Sequence, residues 1–323
     1  MRVIDINRVR PLISSLNKNR ELFALSAFLG LVAVGSLLSP YFLTPTNIKN
    51  ILSQVSIIAV LAAGETYVIL TGGIDLSVGS LLAATGAITA ALIKWLGLPI
   101  LVGILGGLIV GAMAGAINGL FVSRIRIPSF IITLAMMAVA RGVALIVTGG
   151  KPISIFPPQF TAIAGYIGPV PMLIVITVAV YTIWQFILSK ARIGRYIYAV
   201  GGNEEATRFL GVKVGLVKLV AFTFSGFCAG LSGIMLTARL DSAYPAAGQG
   251  YELDAIAASV LGGVSFTGGI GSLIGTFLGA LVMTIIGNLL NLLNVSAFYQ
   301  YIAKGMVLAI AAVSLSRGVK YAK

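Results

Sequence analysis

The chain contains nine Asp and Glu residues, no histidine and one cysteine, Cys228, and that inventory limits its chemistry. Without an imidazole there is no histidine metal ligand and no histidine to activate a nucleophile. The acids do not cluster at helical spacing either, so no metal site and no catalytic residue are assigned. One cysteine forms no internal disulfide. The charged groups that call for explanation are those inside or beside apolar stretches, where charge is costly and marks function by default. Glu65 and Arg141 each lie within such a stretch, and Asp75 sits between glycines in TGGIDLSVG, residues 71–79. At 1.5 Å per residue Glu65 lies about 21 Å from the outer end of its segment and Arg141 about 20 Å from the inner end of its own. In a layer about 30 Å thick the two differ in depth by about 10 Å. They either pair with both side chains extended, make separate helix contacts, or meet a transported solute. Lys304, nearer the outer surface, is read as snorkelling.

The elements that hold these residues are apolar helices. Hydrophobic residues make up 58% of the 323, charged residues 10%, and the mean hydropathy is +1.04, which places the chain among all-α polytopic membrane proteins. The net charge of +13 does not indicate nucleic acid binding, because the basic residues lie in short intervals between apolar runs and not on a polar domain. Nine segments have the roughly 20 apolar residues a crossing requires: 22–43, 51–71, 77–96, 98–122, 128–149, 167–189, 215–238, 271–293 and 298–316. The run LDAIAASVLGGVSFT, residues 253–267, is apolar but short and broken by Gly262 and Gly263. Lys and Arg gather on the cytoplasmic side. With the N-terminus inside, sixteen of the 22 basic residues fall on cytoplasmic segments, four fall outside, and Arg141 and Lys304 lie within spans. The basic tail returns to the cytoplasm only if the crossings are even in number, so the broken segment is counted and the total is ten. A crossing this short leaves backbone groups that lipid cannot satisfy, so it belongs among other helices or beside water.

The organisation that follows is a cytoplasmic segment 1–21, one transmembrane domain 22–316 and a cytoplasmic tail 317–323. Five basic residues precede the first apolar run, which is longer than a signal-peptide core and is read as a retained anchor. The longest polar interval, 190–218, carries six basic residues and the stretch GGNEEATRFLG, with Asn203 as a cap and Glu204 and Glu205 in the first turn of a short helix. The segment LGGVSFTGGIGSLIGT, 261–276, repeats part of the earlier pattern: Gly72, Gly73, Ile74 and Gly79 correspond to Gly268, Gly269, Ile270 and Gly275. Internal duplication and two independent glycine-rich helix junctions both account for this.

The central loop, GGIDLSVG and LGGVSFTGGIGSLIGT, in that combination, resemble the permease (transmembrane) subunit of ribose/xylose/galactoside-type ABC sugar importers, over about residues 20–316. The resemblance implies a type II importer architecture of about ten transmembrane helices with both termini cytoplasmic, in a bacterial or archaeal plasma membrane. It implies three partners: a cytoplasmic ATP-binding subunit, an extracytoplasmic sugar-binding protein and a second permease, identical or homologous. ATP and Mg would be used by the partner, and no cofactor is expected in this chain, which has no phosphate loop of the form Gly-x-x-x-x-Gly-Lys-Ser/Thr. The coupling motif of importer permeases, Glu-Ala-Ala followed after three residues by Gly, is matched by Glu205, Ala206, Thr207 and Gly211, with Thr207 departing from the second Ala. The ATPase-coupling helix is thus assigned to Asn203, Glu204, Glu205, Ala206, Thr207, Arg208 and Gly211.

A sugar path calls for amides, hydroxyls and aromatic faces with few charges. Candidates for the path or its gate are Glu65, Gly72, Gly73, Asp75, Asn118, Arg141, Ser225, Gly262, Gly263 and Asn288, although the polar ones equally suit interhelical hydrogen bonds. Arg239, Asp241, Glu252 and Asp254, on the most charged external interval, are candidates for docking the binding protein or for a solvated rim. The alternative function is an ion-coupled secondary transporter of a small polar solute, which would use midplane carboxylates as ion ligands; Glu65 and Asp75 are its candidates.

Overall fold

Apolar runs of this length fold as helices because lipid offers no partner for a free backbone N–H or C=O. The computed structural model describes residues 6–316; residues 1–5 and the tail 317–323, assigned above to the cytoplasm, lie outside the described residues. The helices are α1 (Ile6–Leu38), α2 (Pro45–Leu70), α3 (Val78–Lys94), α4 (Ile100–Leu120), α5 (Ser129–Thr148), α6 (Pro158–Thr161), α7 (Met172–Lys190), α8 (Arg192–Gly202), α9 (Glu204–Phe209), α10 (Val214–Leu240), α11 (Tyr251–Leu261), α12 (Leu273–Leu292) and α13 (Ala297–Ser316). A π-helical turn, Phe121–Ile125, prolongs α4. Among the described residues, seven stretches are long and apolar enough to cross a membrane: Arg20–Leu38 within α1, α2, Ile100–Ile125, α5, α7, α10 and α12. Helix α3 is apolar but has 17 residues, and α11 has only 11.

Helix α2 is the axis of the bundle. Thr44 caps it, accepting from the Asn47 N–H, and Pro45 occupies its first position, where the missing N–H costs nothing. Every residue from Val55 to Leu70 is buried, as expected for a helix apolar on all sides. Around it stand α10, α11, α12 and α7, with α4 and α3 beyond α10, α5 along α3, and α1 along α12. Helices α4 and α10 touch backbone to backbone: a Cβ on Gly115 would lie 3.0 Å from the Cα and the N of Gly226. Where lipid supplies no hydrophobic drive, close packing of small residues supplies the adhesion.

The end of the bundle where α10 stops carries the remaining elements. Strand β1 (Ile153–Ser154) pairs antiparallel with β4 (Ser242–Ala243), Ile153 opposite Ala243, while β2 (Tyr166–Ile167) and β3 (Val170–Pro171) form a small hairpin.

The structure departs from the sequence reading at three places. Helix α1 begins at Ile6, well before residue 22. The central loop holds two helices, α8 and α9, where one was expected. The run 253–267 contains a helix only to Leu261; residues 262–272 then form a non-helical return to α12. Its glycine break falls at the anticipated position.

Candidate functional site

Three chain segments converge where α2 ends. Gly72, Gly268 and Gly269 all have positive φ, at 80°, 81° and 73°, a region that a side chain would disfavour. The Gly269 N–H donates to the Leu70 carbonyl at 3.0 Å, and a Cβ on Gly268 would lie 2.9 Å from the Gly72 nitrogen. The two Gly-Gly-Ile segments singled out in the sequence are therefore in contact. Helix α8 adds Gly201 to the same junction, where any Cβ would collide with the Leu70 carbonyl oxygen and the Gly269 nitrogen. One turn earlier the Tyr198 hydroxyl donates to the Gly271 carbonyl at 2.7 Å. Burial pushes that phenol up from its ordinary value, so it stays protonated and donating.

Helix α9 continues from this anchor. Asn203 Oδ1 accepts from the Ala206 N–H at 2.8 Å, the expected cap. Glu204 accepts from Arg208 Nη2 at 2.7 Å and from Lys218 Nζ, on α10, at 2.6 Å. Thr207, the departure from the Ala of the motif, is buried, and its hydroxyl donates back to the Ala199 carbonyl at 2.8 Å. Glu205 and Ala206 face outward, and Gly211, at φ 82°, ends the turn. Between them Phe209 is 84% exposed and Leu210 80% exposed. The sequence reading passed over these two; its signal was an apolar pair inside an otherwise polar interval. A cavity of about 340 Å³ separates α9 and the start of α10 from the Gly72–Gly73 turn and the segment Val122–Ser129.

Behind the junction the structure brings together Glu65, Asp75, Asn118 and Ser225, all buried. The Asp75 N–H donates to Glu65 Oε1 at 3.1 Å. The Asp75 carboxylate accepts from the N–H and hydroxyl of Ser77 and, at 2.9 Å, from the Ser225 hydroxyl of α10. Asn118 Nδ2 reaches Ser77 Oγ at 3.0 Å. Two carboxylates, Glu65 and Asp75, and the Ser77 hydroxyl thus tie α2, α10 and α4 to the 71–77 turn. Nearby, the Thr66 hydroxyl bonds those of Ser259 (3.1 Å) and Thr276 (2.7 Å), a bridge between α2, α11 and α12 that the sequence did not point to.

Other assigned residues lie apart. Arg141 does not pair with Glu65; its Nη1 donates to the carbonyls of Pro245 (2.6 Å) and Ala247 (2.9 Å) and holds the link before α11. Asn288 is engaged with Asn47 in two reciprocal amide bonds of 2.9 and 2.8 Å, a contact between α12 and the start of α2. Gly262 crosses the backbone of Gly275, and the Gly263 carbonyl accepts from Arg20 Nη1 at 2.8 Å. Of the four residues proposed for docking, Asp241 is exposed and accepts the Phe156 N–H. Glu252 turns inward against Gly79, while Asp254 is 3% exposed and bonds Lys304 Nζ at 2.6 Å. Asp254 is therefore not on an outer rim, and Lys304 does not snorkel: an acid one turn into α11 captures it. Arg239 lines a second cavity with both of them.

A bundle of apolar helices with a buried polar seam, bearing a polar two-helix hairpin at one end, defines a multi-pass membrane permease. Residues 47–312 match the family described as "Branched-chain amino acid transport system / permease component", and the chain belongs to it. It is 46% identical over 293 residues to the ribose import permease of Escherichia coli (strain K12), covering 89% of this chain and 91% of that protein. The ribose import permease of Bacillus subtilis (strain 168) is 45% identical over 293 residues, 89% of this chain and 91% of its own. A D-allose transport system permease protein of E. coli K12 is 42% identical over 291 residues, 89% of this chain and 88% of its own.

Proposed function

We propose that this chain is the transmembrane subunit of an ABC importer in the bacterial plasma membrane, moving a ribose-like monosaccharide into the cell. In this reading the α8–α9 hairpin docks on a cytoplasmic ATPase, which supplies the hydrolysis, and a sugar-binding protein delivers the solute from outside. A second permease copy or homologue completes the pair. The chain crosses ten times, with α11 and the 262–272 return counted as one crossing and both termini inside. Alternating access follows from moving the hairpin, because Gly201 transmits its displacement to the ends of both α2 and the α11–α12 return.

The observation that carries this reading is the tip of the hairpin. Phe209 and Leu210 project from a polar surface beside Glu205, on a helix braced from behind by Thr207, Lys218 and Gly201. Exposed apolar side chains on a rigid polar element mark a docking surface for protein. Both Asp75 carboxylate oxygens accept hydrogen bonds, which suits a structural tie better than an ion ligand, whereas Glu65 keeps Oε2 without a partner among the described residues.

The test is affinity purification of the tagged chain from native membranes in mild detergent, with mass spectrometry of what accompanies it. The reading requires an ATPase subunit that is recovered with the wild type and lost with Glu205→Arg and with Phe209→Asp, while both variants insert normally. Recovery of the chain alone from several detergents would remove the hairpin from the mechanism.

A further inference from the structure

A second cavity, of about 180 Å³, lies between α2, α10, α11, α12 and α13 and is lined by Gln54, Arg239, Asp254, Thr284, Asn291 and Lys304. Tyr251, on the first turn of α11, adds an aromatic ring. Neither end of the cavity's hydrogen-bonding chemistry is internally satisfied. Asp254 spends one carboxylate oxygen on Lys304, but Oδ1 is buried with no partner, and so is the hydroxyl oxygen of Thr284. Asp254 and Thr284 are only 3% and 6% exposed. Arg239 makes no hydrogen bond or ion pair with another described residue, although its guanidinium carries five donors. Buried polar groups left this way are costly unless something bonds them.

We propose that this cavity is a transit site for one neutral, monosaccharide-sized polyol, in which Arg239 donates to the oxygens of a diol while Asp254 Oδ1 and Thr284 Oγ1 accept from its hydroxyls. A hydroxyl is both donor and acceptor, so a diol satisfies an arginine and a carboxylate together. An anion would complement Arg239 but meet the unpaired oxygen of Asp254. A cation would find two positive side chains already there. The tyrosine ring supplies an aromatic surface for the apolar C–H face of a sugar ring. The cavity, at about 180 Å³, has room for several water-sized groups, as a small polyol requires. Tyr251 and Asp254 place the site at the first turn of α11, at the other end of that helix from the Gly262 break. This inference rests on the sugar-importer reading above and assigns the residues that read the sugar.

The experiment uses the complete importer, with its ATPase and binding protein, in proteoliposomes, and measures uptake of radiolabelled D-ribose, D-allose and L-arabinose. Thr284→Val keeps the shape and loses the hydroxyl; Thr284→Ser keeps the hydroxyl and loses the methyl. The expected result is that Val lowers uptake of the transported sugar about tenfold while Ser stays within about twofold, the scale of one lost hydrogen bond to a buried group. In parallel, Thr284→Cys is labelled with a small methanethiosulfonate, against a background in which the one native thiol, Cys228, is buried. The transported sugar is expected to slow that labelling, and a sugar that is not transported is not. Uptake by the wild type with Val as active as Ser, or labelling indifferent to sugar, overturns the cavity assignment alone. A wild-type importer that moves none of the three sugars overturns the sugar reading, and this site with it.

Discussion

Replacing Gly201 by alanine tests whether the hairpin is coupled to the bundle through backbone contact. The added Cβ would collide with the Leu70 carbonyl oxygen and the Gly269 nitrogen and lie 3.0 Å from the Gly268 carbonyl carbon. All three are backbone atoms, so no rotamer change relieves the clash, and either α8 or the 268–271 turn must move. Overpacking of this kind costs about 1–3 kcal/mol. Alanine returns up to about 1 kcal/mol through helix propensity, leaving a net cost of up to about 2 kcal/mol, or at most roughly a 30-fold loss of the docked hairpin population. Gly202 is the internal control: it is the next residue of the same helix, and nothing lies within 4 Å of the Cβ it would carry. The assay is sugar uptake by the reconstituted importer, alongside limited proteolysis of the 190–213 region in the isolated permease. Gly201→Ala should lower uptake by an order of magnitude and speed cleavage in the hairpin, with Gly202→Ala close to wild type. Equal behaviour of the two variants would refute the coupling argument, because helix propensity acts on both alike and only the contact distinguishes them.

Other predictions follow from single contacts. Tyr198→Phe removes the bond to Gly271 and should weaken hairpin docking by about 1 kcal/mol, read as faster hydrogen exchange in α8. Because burial raises the Tyr198 phenol, its neutral form persists beyond the ordinary tyrosine value of about 10. Its contribution is present throughout and is lost only as pH climbs past the raised value, so wild-type exchange protection in α8, corrected for intrinsic rates, should not change between about pH 6 and 9 on its account. Asn47→Ala and Asn288→Ala should each destabilise by about 1–3 kcal/mol by stranding a buried amide. The double Ala variant should cost clearly less than their sum in thermal unfolding; strict additivity would mean the amides do not interact. For orientation, Tyr244→Cys should react with an impermeant thiol reagent from outside and Gly202→Cys only from inside, since both positions are open. Reaction of both from one side would break the ten-crossing reading.

Composition alone was enough to identify a helical membrane protein, because apolar runs of bilayer length have one low-energy form in lipid. The Asn203 cap, the acids after it and the break at Gly262–Gly263 were legible for the same local reason: caps and helix breaks depend on neighbours in sequence. The partners of Arg141, Asp254 and Lys304 were not. Depth counted along straight helices set Arg141 against Glu65, whereas the 244–250 link turns inward to place carbonyls at Arg141 and α11 carries Asp254 to Lys304. Residues Glu65, Asp75, Asn118 and Ser225 were each suspect as polar groups in apolar surroundings, but only the crossing of α2, α4 and α10 made them one network. Glycine explains much of the rest. A sequence displays Gly72, Gly201 and Gly268 as absences of side chain, and which backbone each absence admits is decided by the helices that meet there, since a contact between chain segments 130 or 200 residues apart leaves no local trace.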